Sequence, residues 1–205
     1  MLACYRRIFD EVLKMFPGEY VHIGGDECPK AQWKNCPKCR ARMESEGLAD
    51  VEALQGWITR QMVEYVSARG RRVIGWDEIL DGGELPKGTI IQSWRGTKGG
   101  IAAAKRGYDV IMSPSQYLYF SIPEGRPDDH YPTRYWSRIN NSRLPAEKVR
   151  SFDPLAGIPP EATKRILGAE CCIWTEVVHS PEELRFKAFN RLGAFAQAMG
   201  CHPSK

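Results

Sequence analysis

Apolar residues at Leu2, Tyr5, Ile8, Phe9, Val12, Leu13 and Phe16 recur at helical spacing, and Pro17-Gly18 ends the pattern. Tyr20-Val21-His22-Ile23 follows, a short run that reads as a strand. The same grammar repeats: Leu54, Trp57, Ile58, Gln61, Met62, Tyr65 and Val66 outline a helix ended by Gly70, and Arg72-Val73-Ile74-Gly75-Trp76 reads as the next strand. Thr89 to Trp94 forms a third strand. A small helix around Ile101 to Lys105 ends at Gly107, and Asp109 to Ser113 forms a fourth strand. From Pro114 to Pro160 no period emerges, so this stretch reads as a long loop, and long loops in compact domains are usually functional. Ile166 to Ile173 is the fifth strand. The last helix opens with Ser180 as cap, Pro181 at the first position and Glu183 at the third; Leu184, Ala188, Leu192, Phe195 and Met199 are its expected buried face, with Gly200 closing it.

Continuous apolar strands alternating with helices argue for an α/β fold, a parallel sheet covered by helices. Chemistry in such folds gathers at the carboxyl ends of strands. Here those ends carry Gly24-Gly25-Asp26-Glu27, Trp76-Asp77-Glu78, Ser93-Trp94-Arg95, Ser113-Pro114-Ser115 and Trp174-Thr175-Glu176. A dinucleotide-type glycine loop is excluded, because two acids directly after Gly24-Gly25 repel a phosphate.

The 205 residues, 42% apolar and 26% charged, fit one globular domain. The net charge of +4 is scattered, unlike the dense basic stripe of a nucleic-acid binder. No apolar run approaches the roughly 18 residues of a membrane helix, and Leu2-Ala3-Cys4, with no apolar segment before it in these residues, is not expected to be a lipoprotein or signal sequence. The 7 cysteines, an odd number in a chain of this size, are not a disulfide framework. Cys28, Cys36 and Cys39, spaced C-x7-C-x2-C, leave a structural metal, a local disulfide and free thiols all open, with Cys4 a conceivable further ligand. Cys171-Cys172 read as small residues on opposite sides of a strand.

Asp26-Glu27 is the sharpest chemical feature. Adjacent acids point apart within a strand, but where the chain leaves the sheet both can enter one pocket, one staying charged while its field raises the pKa of the other. Asp77-Glu78 has the same form, so the pair alone does not decide. Trp76, Trp94 and Trp174 at strand ends, with Trp136 in the long loop, would suit the apolar faces of a sugar ring. Trp33 and Trp57 lie in helical stretches and are assigned to packing.

His22-Ile23-Gly24-Gly25-Asp26-Glu27 resembles the catalytic signature of family 20 glycoside hydrolases, the β-N-acetylhexosaminidases. Gly75-Trp76-Asp77-Glu78, Ser93-Trp94, Tyr119-Phe120 and Trp174-Thr175-Glu176 follow in that family's order across nearly the whole chain. The resemblance implies a (β/α)8 TIM barrel and retaining, substrate-assisted hydrolysis of terminal N-acetylglucosamine or N-acetylgalactosamine from glycans or chitooligosaccharides, with no cofactor. It implies Glu27 as general acid and base, Asp26 as holder of the acetamido N–H, and Tyr119 as donor to the acetamido oxygen. Trp76, Trp94 and Trp136 would wall the acetamido pocket, while Trp174 and Glu176 hold the ring and its distal hydroxyls. His22, Asp77 and Glu78 become supporting residues, His22 as a buried structural histidine. Tyr117, two residues before Tyr119 on the same expected strand face, is the rival tyrosine. Where many family members carry Asp or Asn, Ser121 stands. A complete barrel needs about 250 residues, and the motif order makes the first strand here the fourth of eight. Residues 1–205 are therefore expected to be the C-terminal part of the catalytic domain, inactive alone. The resemblance also suggests export or a lysosomal address for the full-length protein. The competing expectations are a carbohydrate-binding pseudoenzyme, or a zinc-stabilised module built on the cysteines.

Overall fold

The structure, a computed structural model, describes residues 1–125 and 143–200. Its centre is a sheet of five parallel strands in sequential order: β1 (Tyr20–His22), β2 (Arg72–Trp76), β3 (Ile90–Ser93), β4 (Asp109–Met112) and β5 (Ile166–Ala169). Every expected strand is present, though the fifth ends at Ala169; Cys172 beyond it makes only an isolated bridge to Tyr119. A doubly wound sheet reverses its strand order at a switch point. This sheet advances one neighbour at a time, as barrel sheets do, and among the described residues its outer strands β1 and β5 have one partner each.

Helices α1 (Leu2–Met15), α2 (Ala31–Asn35), α3 (Pro37–Ser45), α4 (Val51–Ser67) and α5 (Lys98–Lys105) come from the first half of the chain. Asp50 caps α4, accepting from the Ala53 N–H at 2.8 Å. Its stripe of Met62, Val63 and Val66 is buried; Val63 and Val66 pack with Val73 of β2, and Phe9 of α1 reaches this cluster. Gly100 of α5 seats that helix on β3 and β4: a Cβ there would come within 2.5 Å of Met112 Sδ and 3.2 Å of Ser93 Cβ. The main core runs from Ile79 and Ile91 through Val110 and Met112 to Leu118, Phe120 and Leu144.

The stretch after Pro114 is less irregular than its sequence suggests, holding the short helices α6 (Ser115–Leu118) and α7 (Ala146–Arg150). One turn of helix is too short to show a period. The final helix, α8 (Pro181–Ala198), has the expected start: Ser180 Oγ accepts the Glu183 N–H at 3.1 Å, and Glu183 accepts the His179 N–H at 2.8 Å. Its buried face is not the expected one. Glu183, Lys187, Arg191 and Ala194 point inward, Ala188, Leu192, Phe195 and Met199 lie half-buried beside them, and Leu184 is exposed. The reason is polar. Arg191 donates to the carbonyls of Ile122 at 2.8 Å, Leu144 and Lys187 at 3.2 Å, and Phe120, and Lys187 Nζ donates to Ser121 O at 3.2 Å. Buried carbonyls outside a ladder need donors, and α8 supplies them. No helix among the described residues is long and apolar enough to cross a membrane.

Candidate active site

The chain leaves β1 through a tight reversal. Gly24 and Gly25 have φ of +72° and +101°, and Glu27, which is not glycine, has φ +45°. A Cβ on Gly25 would lie 2.4 Å from Ile79 Cγ2, so the buried Ile79 after β2 requires glycine there. Four contacts fix the turn. Gly24 N–H donates to His22 Nδ1 at 3.0 Å, Trp76 N–H to Gly24 O at 3.0 Å, Gln55 Nε2 to Gly25 O at 2.8 Å, and Ile23 N–H to Ile74 O at 2.9 Å. Holding Glu27 in the left-handed region costs about 1–3 kcal/mol, a strain that persists only where surrounding contacts impose it.

His22 accepts that bond from Gly24 and, among the described residues, is exposed, because β1 has a partner on one side alone. Its imidazole meets the Trp76 ring at a tilt of 58°, with ring centroids 4.8 Å apart. Partial desolvation pulls its pKa below the usual histidine value, against the fields of Glu170 and Asp26.

Asp26 and Glu27 open onto a cavity of about 220 Å³. Trp76 at the end of β2, Trp94 after β3, Tyr119 after α6, and Trp174 with Glu176 after β5 line the rest of it. The aromatic rings support one another. Tyr119 stacks on Trp94 at 6.1 Å with planes 11° apart and meets Trp174 edge-on at 5.7 Å; Trp174 lies 6.0 Å from Trp76. Burial pushes the Tyr119 hydroxyl pKa far up, so it stays protonated and able to donate. Trp174 Nε1 is buried with no hydrogen-bond partner among the described residues.

The two acid pairs separate cleanly. Glu78 accepts Trp94 Nε1–H at 2.9 and 3.1 Å, and burial raises its pKa, which the Trp94 bond opposes. Asp77 is 1% exposed and pairs with Arg95 Nε at 2.7 Å, while Ser93 Oγ donates to it at 3.3 Å. This second pair thus holds a wall and buttresses it, while the first lines the cavity.

The tyrosines separate as well. Residues 115–118 are helical, so Tyr117 shares no strand face with Tyr119; it packs on Phe152 at 5.4 Å. Ser121 is fully buried and accepts the Trp174 N–H at 2.7 Å, so it anchors that wall from behind and does not line the cavity. Trp136 lies outside the described residues. Trp33 and Trp57 are half-buried away from the cavity, with Trp57 Nε1 donating to Glu46 at 3.1 Å. Arg191 and Lys187 were invisible to sequence reasoning, because charged residues four apart on a helix look like a solvated face.

Cys28 lines a different cavity from Cys36 and Cys39, and among the described residues no group of three or more His, Cys, Asp or Glu side chains could hold a metal. Cys172 is buried and its thiol pKa is pushed up to about 12 by burial, while Cys171 is half-buried; neither lies in a regular strand.

Residues 1–200 match glycosyl hydrolase family 20, catalytic domain. The chain is 42% identical over 195 residues to a beta-hexosaminidase of Porphyromonas gingivalis, covering 93% of this chain and 24% of that protein. It is 34% identical over 191 residues to a beta-hexosaminidase of Vibrio furnissii, covering 92% and 30%. Among solved structures, a GH20 exo beta-N-acetylglucosaminidase of Vibrio harveyi, in complex with N-acetylglucosamine, superposes with TM-score 0.83 at 33% identity over 95% of this chain and 30% of that one. A beta-N-acetylhexosaminidase of Bacteroides fragilis superposes with TM-score 0.82 at 30% identity, covering 100% and 41%. The chain therefore spans between a quarter and two-fifths of these proteins.

Proposed function

Because the chain belongs to glycosyl hydrolase family 20, we propose that it carries the reaction centre of an exo-acting β-N-acetylhexosaminidase, which removes terminal N-acetylglucosamine or N-acetylgalactosamine from glycans by retaining, substrate-assisted hydrolysis. The observation that supports this most is the convergence on one cavity of the acid pair and the aromatic residues from four later strand ends.

In this reading the sugar sits against Trp174 with its 2-acetamido group between Trp76, Trp94 and Tyr119. Glu27 gives its proton to the glycosidic oxygen as the bond to the anomeric carbon breaks. The acetamido carbonyl oxygen attacks that carbon from the opposite face and forms an oxazolinium ion. Asp26 accepts the acetamido N–H and offsets the positive charge, and Tyr119 donates to the acetamido oxygen and aligns it. Glu27, now a carboxylate, takes a proton from water. The water oxygen attacks the anomeric carbon, the ring reopens, and configuration is retained. Glu176 would hold the distal hydroxyls.

Glu27→Gln, in the complete gene product, should abolish hydrolysis of a substrate with a poor leaving group and spare more activity on one with a good leaving group. Equal rates for variant and wild type on the poor substrate would remove Glu27 from the role of acid.

A second reading concerns the 205 residues alone. The one-partnered outer strands and the short coverage of relatives favour residues 1–205 as part of a barrel whose other strands complete the cavity. On that footing the isolated chain binds sugar without cleaving it. Turnover by the purified 205-residue protein, beside a binding titration with N-acetylglucosamine, would overturn this.

A further inference from the structure

Cys36 and Cys39 stand at the start of α3, apart from the acid pair. Cys36 is the N-cap, Pro37 begins the helix, and Cys39 sits one turn on, with the Arg40 N–H bonded to Cys36 O at 3.0 Å. Residues three apart in a helix have Cα atoms about 5 Å apart, inside the roughly 4.4–6.8 Å that a disulfide spans. Both thiols are free and half-buried. Both also line an apolar cavity of about 490 Å³, between Trp33 and Trp57, that Lys38 and Arg42 border. Cys28 lines another cavity, and Cys4 is exposed.

We propose that Cys36 and Cys39 are a redox-active dithiol that closes reversibly to a disulfide by exchange with a small acidic organic disulfide, of which glutathione disulfide is the type, received in the cavity beside them. The cavity offers apolar walls for the carbon skeleton and the Lys38 cation for a carboxylate, while Arg42 on its border is already paired with Glu46 at 2.8 Å.

The two sulfurs are not equivalent. The Cys39 N–H, then the Cys39 thiol and the Lys38 N–H, hold the Cys36 thiol below the usual cysteine value, whereas the Cys36 sulfur and burial raise that of Cys39. Cys36 thiolate attacks one sulfur of the disulfide, forming a mixed disulfide and releasing one thiolate. Cys39 then loses its proton to solvent and attacks the Cys36 sulfur. The intramolecular bond forms and the second thiolate leaves, so the dithiol gives two electrons to the organic disulfide.

The test is acid-quenched alkylation with peptide mass spectrometry after incubation of the reduced protein with excess glutathione disulfide. The peptide holding Cys36 and Cys39 should lose both alkylatable thiols and two hydrogens, and dithiothreitol should restore them. Cys39→Ser should stop as a glutathione adduct on Cys36, and Cys36→Ser should leave Cys39 free. At neutral pH, iodoacetamide should label Cys36 several-fold faster than the exposed Cys4, and urea should erase that ratio. Persistence of both free thiols under oxidation, an adduct forming on Cys39 first, or a ratio unchanged in urea would each overturn the proposal.

Discussion

Ser121→Ala isolates one anchor of the cavity. Ser121 Oγ is fully buried and accepts the Trp174 N–H at 2.7 Å, at the point where the chain turns from β5 towards Glu176. Alanine keeps the backbone and nearly the volume, so the change leaves one part-buried N–H without its acceptor. That penalty is about 1–3 kcal/mol. In a domain of this size each kcal/mol moves the melting temperature by about 2–4 °C, giving a loss of about 2–12 °C. Ser151→Ala is the matched control: Ser151 is exposed, and its hydroxyl donates to Lys148 O at 2.8 Å. Its melting temperature should stay within about 2 °C of wild type. Differential scanning calorimetry on both variants measures the difference, and in the complete gene product Ser121→Ala should also raise KM, because Trp174 loses its backing. Equal melting temperatures for the two variants would refute the reasoning.

Arg191→Met should destabilise the chain by about 3 kcal/mol or more, since the carbonyls of Phe120, Ile122 and Leu144 lose a buried donor together; urea denaturation at wild-type stability would contradict this. Glu78→Ala should raise KM more than it lowers kcat by freeing the Trp94 indole, with Glu78→Gln between it and wild type because the amide oxygen still accepts. Tyr119→Phe should lower kcat by roughly 10²-fold, the loss typical of one donor to a reacting oxygen. Because burial raises the Tyr119 pKa above the ordinary value of 10, its proton is present at every pH below that, and the basic limb of the pH–rate profile should not move in the variant. A limb that shifts with the mutation would show that Tyr119 titrates in the working range.

Much of this was legible in the chain because parallel strands covered by helices leave short apolar runs bounded by turn residues, and all five runs became strands. The cavity was legible for a related reason: residues where a strand ends must point to the same rim of the sheet, so Asp26, Trp76, Trp94 and Trp174 converge whatever the loops between them do. What failed depended on polar burial. Leu184 reads as a core position and Arg191 as a surface one, yet the carbonyls of residues 120, 122 and 144 call for donors, and α8 turns its cationic face inward to meet them. His22 reads as buried by its strand, and among the described residues it is exposed because β1 has a partner on one side alone. Ser121 was legible as a departure from a family pattern and not as a backbone acceptor, since its partner lies 53 residues away.

The central claim is that the nucleophile belongs to the substrate, with Asp26, Tyr119 and the tryptophans arranged to aim it. The most direct measurement is kcat/KM in the complete gene product for aryl glycosides of glucosamine acylated with acetyl, fluoroacetyl, difluoroacetyl and trifluoroacetyl groups. Fluorine withdraws electron density from the carbonyl oxygen, so an attacking acetamido group predicts a steep fall with each substitution and a product of retained configuration. A flat series would mean that the acetamido oxygen does not attack, and would contradict the account.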